Sequence, residues 1–265
     1  MRIHRVIVAL LAPAFWSVAL PALAQPKIAT PSTTGISFLP RTEETFLWGA
    51  MQTTDPRFHW DGVVTFDADL VDYGRGRTNF SASYEGVIGR ERRHFDLNHG
   101  NYMLEMSSSL RLQSVEIFGA YHHVSRHLVD RENPGAISWN LLEARALRRF
   151  TFATSTLDTA FRVGQYSRQA FVDYVWMANL SVMFRHFLNR RTGLFAYGWG
   201  ETRGLDPDVA HRTKLCGVRV DGGLRVDGSR GAVEFFGGYE RRMDAFPTDR
   251  YRLRFWTIGF RLVTK

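Results

Sequence analysis

This sequence is constrained most by an alternation of apolar and polar residues that recurs in short segments along most of its length. The pattern is clearest in residues 170–186. One row of alternate positions there comprises Val172, Tyr174, Trp176, Ala178, Leu180, Val182 and Phe184, and the other row contains Asp173, Asn179, Ser181 and Arg185. Because side chains alternate between the two faces of a β-strand, the segment predicts a strand with one apolar and one polar face.

The same alternation predicts twelve strands. They cover residues 44–52, 61–72, 77–89, 99–111, 114–126, 137–149, 153–164, 170–186, 192–201, 212–226, 230–241 and 251–263. Alternating segments separated by turns are typical of a single closed antiparallel β-barrel that spans a membrane, and an even number of strands places both chain ends on one side. A soluble β-sandwich also alternates, with its polar face in water, and is the alternative fold.

The N-terminus has the features of a secretory signal peptide. Arg2 and Arg5 precede an apolar run from Val6 to Leu20, and the small-residue sequence Ala22-Leu23-Ala24 follows. Cleavage is therefore expected after Ala24. The predicted organisation is a signal peptide at residues 1–24, a periplasmic extension at 25–43 and an outer-membrane barrel at 44–265.

Composition favours a barrel over a helical membrane protein. Beyond the signal peptide the chain has no long uncharged apolar stretch, and a closed barrel is the other structure that satisfies every backbone polar group in lipid. The single cysteine, Cys216, excludes an internal disulfide. The net charge is +8, but an exported barrel in the outer membrane of a Gram-negative cell implies lipid, and no nucleic acid, as its partner.

The polar face of the predicted barrel carries both acids and arginines. These inward positions are Asp67, Asp69, Glu85, Glu105, Glu116, Glu143, Arg145, Asp158, Arg162, Asp173, Arg185, Arg219, Asp221 and Arg225. A twelve-stranded barrel is narrow, so we expect these charges to pair into a packed network rather than to line a channel of one sign.

The connections between the predicted strands are of two kinds. Short turns are expected at the end that carries the termini, and longer, more charged loops at the external end. Basic residues of the external loops are expected to be solvated, with contact to lipopolysaccharide phosphates as the alternative. These are Arg90, Arg92, Arg93, Arg241 and Arg242.

Two neighbouring segments carry a group of side chains that is suited to catalysis. In residues 114–126 the odd-numbered row is uncharged, which places His123 and Ser125 on the lipid-facing side. In the next segment the even-numbered row from Ser138 to Ala146 is uncharged, so Asn140 also points outward. Because the two segments form a hairpin, Ser125 is expected opposite Asn140 or close to it.

A hydroxyl, an imidazole and a carboxamide together form a nucleophilic site. The imidazole takes the proton of the serine, and a third polar group fixes the imidazole's tautomer and orientation. A site that faces lipid suits a lipid substrate, so the sequence predicts hydrolysis of an acyl ester by Ser125, His123 and Asn140.

Two alternatives remain at this point. Interfacial histidines and serines often do no more than bind head groups, in which case the barrel is non-catalytic, either structural or a narrow pore. Metal binding by His122, His123 and His127 is disfavoured because His122 points inward when the other two point outward.

The stretch from Tyr121 to Asp130 resembles the H-x-S-S-H-L-G-D-E signature of an uncharacterised family of bacterial outer-membrane proteins. Asp55-Pro56-Arg57 resembles that family's early Asp-Pro-Arg stretch. Arg126, Val129 and Arg131 depart from the signature. This resemblance implies a barrel of unknown role.

The same hairpin resembles outer-membrane phospholipase A, a twelve-stranded barrel with His-x-Ser on one strand and Ser-Trp-Asn on the next. Ser138-Trp139-Asn140 stands in the second place. The resemblance implies that Ser125 is the nucleophile, His123 the base and Asn140 its orienting partner. Arg126 departs from it, since the phospholipases have a small polar residue after the serine.

The resemblance also implies partners. Lipid A 3-O-deacylases likewise use an outward-facing His-x-Ser, so the substrate is either phospholipid or lipopolysaccharide. By analogy with the phospholipase, calcium and a homodimer are expected features, and Asp130 and Glu132 are the candidate calcium ligands.

Overall fold

The computed structural model of this chain describes residues 35–132, 135, 137–210, 212–249 and 251–264. The predicted signal peptide at 1–24, and the predicted extension as far as residue 34, lie outside these residues. No helix within the described ranges is long and apolar enough to cross a membrane.

Twelve strands account for nearly all of the described chain. They are β1 Ser37–Gln52, β2 Trp60–Asp72, β3 Arg77–Gly89, β4 Asp96–Leu112, β5 Val115–Leu128, β6 Ile137–Phe152, β7 Ser155–Ala170, β8 Tyr174–Phe187, β9 Thr192–Leu205, β10 Lys214–Asp227, β11 Gly231–Arg242 and β12 Leu253–Thr264. A short helix, α1 Pro207–Ala210, lies between β9 and β10.

Each strand pairs antiparallel with its sequence neighbours, and β1 pairs with β12 to close the barrel. The predicted fold class is therefore confirmed. Strand β1 starts at Ser37 rather than at residue 44, because Ser37 and Phe38 pair with the end of β2 beyond a register irregularity. Residues 37–43, predicted as part of the extension, thus belong to the barrel wall.

The two faces of the wall separate as the alternation predicts, except where the register shifts locally. Exposed apolar side chains such as Leu104, Leu142 and Phe161 cover the outer face, which is the pattern of transmembrane barrels. Tyr174 was expected in the same outward row as Trp176. A register shift between the two turns Tyr174 into the barrel, where its hydroxyl donates to Asp244 at 2.8 Å.

Opposite charges pair inside the barrel, as predicted. Glu143, whose side chain is fully buried, accepts hydrogen bonds from Arg145 and Arg162. Arg145 also reaches Glu105 at 2.6 Å. Similar clusters join Arg77 to Asp69 and Glu116, Arg219 to Asp221 and Glu240, and Arg261 and Arg225 to Glu234. Fixed networks of this kind fill the interior and hold the strands in register.

Arg242 corrects one expectation. It was expected among the solvated basic residues of the external loops, but it lies at the end of β11 with its side chain turned inward. Its guanidinium pairs with Asp61, Glu85 and Glu240. The inward phase of β11 extends one residue further than the sequence pattern indicated.

The barrel end opposite the termini is covered by loops that fold inward. Arg126 of β5 donates to the carbonyl oxygens of Asp244 and Ala245 at 2.8 and 3.1 Å. The next residue, Phe246, packs with Phe58 of the β1–β2 loop in a buried apolar cluster. The segment after β11 is thereby held within the mouth of the barrel.

The Asp55-Pro56-Arg57 stretch joins two of these loops. Arg57 donates to the Asp55 carboxylate at 2.9 Å and to the Tyr251 hydroxyl at 2.8 Å, and Tyr251 also donates to Asp55. Burial raises the pKa of Asp55, but the hydrogen bonds from Arg57 and Tyr251 outweigh it and hold that pKa below its ordinary value. The stretch thus has a structural role at the mouth.

Replacement of Glu143 by Gln is expected to destabilise the barrel by about 3 to 5 kcal/mol, because it leaves buried arginine charge without its partner. Urea unfolding from phospholipid vesicles, followed by tryptophan fluorescence, measures the loss. The control is Arg93→Ala, which removes an ion pair between Arg93 and Asp130 that is more than half exposed. It should change stability by less than about 1 kcal/mol. Equal effects of the two variants would contradict a stabilising interior network.

Replacement of Gly259 by Val is expected to prevent closure of the barrel. A Cβ atom at Gly259 would overlap the Trp48 carbonyl oxygen and lie 2.8 Å from the Gly49 Cα, so it would force β1 and β12 apart. Gly222→Val is the control, since its Cβ meets only an ordinary contact at 3.7 Å. The measurement is the fraction of refolded protein that migrates as the compact form in unheated gels. An undiminished fraction for Gly259→Val would refute the prediction.

Candidate active site

The hairpin of β5 and β6 brings the predicted site residues onto one outer surface. His123 pairs with Asn140, and Ser125 pairs with Ser138. Ser125 is therefore close to Asn140, as expected, but two residues away from direct pairing with it on the same face. This register sets the imidazole, rather than the hydroxyl, directly beside the carboxamide.

His123 and Asn140 are hydrogen-bonded. The distance between His123 Nδ1 and Asn140 Oδ1 is 2.6 Å, and both side chains are half-buried. An amide oxygen can only accept, so Nδ1 carries the hydrogen and Nε2 keeps a free electron pair. This tautomer is the one that a general base needs, and Asn140 is what selects it.

Ser125 is hydrogen-bonded to a different imidazole. Its Oγ lies 2.8 Å from Nε2 of His127, two residues further along β5. The ring of Tyr102, which pairs with Ser125 from β4, lies edge-on against His127 with centroids 5.4 Å apart. The hydroxyl therefore lies between two outward-facing imidazoles. His127 was not among the predicted site residues, although its spacing from Ser125 already placed both on one face.

Inward residues alternate with the site residues and anchor them. His122 is buried inside the barrel, so it cannot join His123 and His127 around one metal ion. Trp139, between Ser138 and Asn140, packs edge-on against Tyr174 in the core with ring centroids 5.3 Å apart. Arg126, which departs from the phospholipase pattern after the serine, points into the lumen and leaves the outer face next to Ser125 unobstructed.

The site lies at the level of exposed aromatic side chains. Tyr102, Trp176 and Phe171 are each about half exposed on the outer side. Aromatic residues gather where the hydrocarbon of a bilayer meets its polar head groups. The hydroxyl and imidazoles thus share the outer surface with exposed aromatic side chains.

The candidate calcium ligands, Asp130 and Glu132, both lie near arginine side chains. Asp130 forms an ion pair with Arg93, and its backbone carbonyl accepts a hydrogen bond from Arg92. Glu132 lines a cleft that also holds the guanidinium groups of Arg57, Arg92 and Arg131. Among the residues that the structure describes, no group of three His, Cys, Asp or Glu side chains is suited to a metal ion. Glu91 and Asp249 line the same cleft, so its acids and arginines are equal in number.

Comparison with known proteins places the fold. No family model and no curated protein matches the sequence. The structure is similar to that of the outer membrane phospholipase dimer of Salmonella typhi with bound calcium, at a TM-score of 0.53 and 10% sequence identity, over 88% of this chain and 93% of that one. It is also similar to outer membrane phospholipase A from Escherichia coli, at a TM-score of 0.52 and 9% identity, over 86% of this chain and 98% of that one. At such identities the likeness shows the fold alone, which is that of an outer-membrane β-barrel.

Proposed function

We propose that this protein is a serine hydrolase of the outer membrane that cleaves acyl esters of membrane lipids. The observation that carries the proposal is the hydrogen bond between His123 and Asn140 on the outer face of the wall, two residues from Ser125. A base held in the required tautomer beside a hydroxyl is the minimum arrangement for nucleophilic catalysis.

The reaction follows from this arrangement. Ser125 Oγ attacks the ester carbonyl and its proton passes to an imidazole, with His123 Nε2 as the oriented base. The tetrahedral adduct expels the lipid alcohol, which takes that proton and leaves an acyl-serine. Water, deprotonated by the same imidazole, then attacks the acyl-serine and releases the fatty acid.

The resting hydroxyl points to His127, so attack with His123 as base requires a rotation of the serine side chain. Rotation of Ser125 about χ1 moves Oγ between staggered positions, and the hydroxyl lies on the face shared by both imidazoles. The proposed cycle therefore begins with transfer of the serine hydrogen bond from His127 to His123.

The setting supports a lipid substrate. The hydroxyl faces outward at the level of the exposed aromatic side chains. A lipid ester reaches this position by lateral diffusion in the bilayer. The fold of an outer-membrane barrel supports residence in that membrane. We extend the proposal to a homodimer, because the similar Salmonella structure is a dimer.

One observation favours the second candidate, a non-catalytic barrel. Ser125 is bonded to His127 and not to the oriented His123. In a purely structural wall these polar side chains would satisfy one another and the head groups. Of the two non-catalytic roles, the paired interior charges and the inward loops favour a structural wall over a pore.

Replacement of Ser125 by Ala is expected to reduce fatty-acid release by a factor on the order of 10³ or more, since the nucleophile is lost. Refolded barrel is assayed on mixed phospholipid and lipopolysaccharide, with calcium and with a chelator, because the similar Salmonella structure contains bound calcium. Ser138→Ala, on the paired strand and the same face, is the control and should retain activity. No release by the parent protein in any arm would refute the hydrolase.

Single variants distinguish the contributions of the two imidazoles to catalysis. His123→Ala should lower kcat by about 10² to 10⁴, as expected for loss of a general base. His127→Ala should lower kcat far less, since His123 remains as the base. The reverse order of the two effects would assign the base to His127 instead. An Asn140→Ala variant should resemble a weakened His123→Ala, because the imidazole remains but its orientation is lost.

A further inference from the structure

A β-bulge lies beside the candidate active site, on the strand that follows Asn140. Asn140 pairs with Arg168, whereas the next residue, Leu141, pairs with Tyr166. Ser167 is therefore an extra residue in β7. Bulges bend a strand and re-aim its side chains, and they are frequent next to active sites.

This bulge turns Arg168 to the outside. Tyr166 is buried inside the barrel, and residues two apart in a regular strand share a face. Without the extra residue Arg168 would point into the lumen. In the structure it is exposed and pairs with Asn140, whose carboxamide meets His123 on the outer face. A guanidinium group therefore joins the cross-strand row of His123 and Asn140.

The height of Arg168 along the barrel axis indicates which part of a bilayer it would contact. Trp176 is exposed on β8 and pairs with Gln165, three residues before Arg168. Phe171, exposed three residues after Arg168, packs against Gly135 of the loop between β5 and β6. Arg168 thus lies within the aromatic belt that marks the head-group region, where lipid phosphates are found.

We propose that Arg168 binds the phosphate of the same lipid molecule whose ester is attacked by Ser125. The inference rests on the proposed function and makes Arg168 a residue that determines specificity. Ser125 and Arg168 lie on strands two apart, so their backbones are separated by about 10 Å. Acyl ester and phosphate are only a few bonds apart in a phosphorylated lipid. Arginine binds phosphate through two parallel charge-assisted hydrogen bonds, which a neutral lipid cannot provide.

Phosphate can come from two lipid sources, glycerophospholipid and lipid A. The guanidinium recognises the group they share, so the choice between them is made by other contacts. The predicted property of this chain is therefore a preference for phosphorylated over neutral acyl esters.

The test compares kcat/KM on four substrates: phosphatidylglycerol, phosphatidylethanolamine, lipopolysaccharide and neutral diacylglycerol. Arg168→Ala should lower kcat/KM about 10- to 100-fold on whichever phosphorylated lipid is cleaved, chiefly through KM, because a charge-assisted hydrogen bond is lost. It should leave the value for diacylglycerol unchanged. Arg168→Lys should retain part of the preference.

A matched control is present on the neighbouring strand. Arg148 is also an exposed outward arginine, but it lies at the other end of β6 with its guanidinium 4.5 Å from the ring centroid of Phe150. Arg148→Ala should leave all four values unchanged. An equal loss on diacylglycerol after Arg168→Ala, or an equal effect of Arg148→Ala, would overturn the phosphate site.

Failure of the hydrolase and failure of the phosphate site give different results. If the parent protein cleaves no ester, the proposed function fails, and binding is then measured by native mass spectrometry of the detergent-purified barrel. Fewer phosphorylated lipids retained by Arg168→Ala than by the parent and by Arg148→Ala would support the site. Equal retention by all three proteins would overturn it.

Discussion

The hydrogen-bond ladder that joins β1 to β12 is the interaction on which the rest of this structure depends. A strand edge exposed to lipid would leave a row of backbone groups without partners, so the sheet is stable in a bilayer only when it closes. Closure makes the wall one residue thick and gives it two chemically different faces. Every side chain is then assigned to lipid or to the interior by its position in the alternation.

The interior face carries many charged side chains, which must be paired there. Buried charge is tolerable only when it is paired and hydrogen-bonded. Glu143 meets this condition through Arg145 and Arg162, and Arg242 meets it through acids on β2, β3 and β11. Interactions between side chains of several strands therefore complement the backbone ladder. His123 and Ser125 are polar side chains on the other, outward face.

Alternation allowed most of the fold and part of the site to be predicted from the sequence. Strand number, closure, paired interior charges and the outward direction of His123, Ser125 and Asn140 all follow from a period of two. What alternation cannot give is register. The partner of Asn140 depends on where β5 and β6 align, and a shift of two residues decides whether it meets the serine or the imidazole. Alternation does not predict β-bulges either. An extra residue such as Ser167 changes which face the following side chains point to, without changing the composition of the strand. The inward turn of Tyr174 has the same origin.

The position of Arg126 gives the thinness of the wall a mechanical consequence. Ser125 and Arg126 are joined by one peptide bond, yet one faces the bilayer and the other grips the carbonyl groups of the loop after β11. A displacement of that loop is thus transmitted, through a single residue, to the strand that carries the hydroxyl. The mouth of the barrel and its outer surface are therefore mechanically coupled through β5.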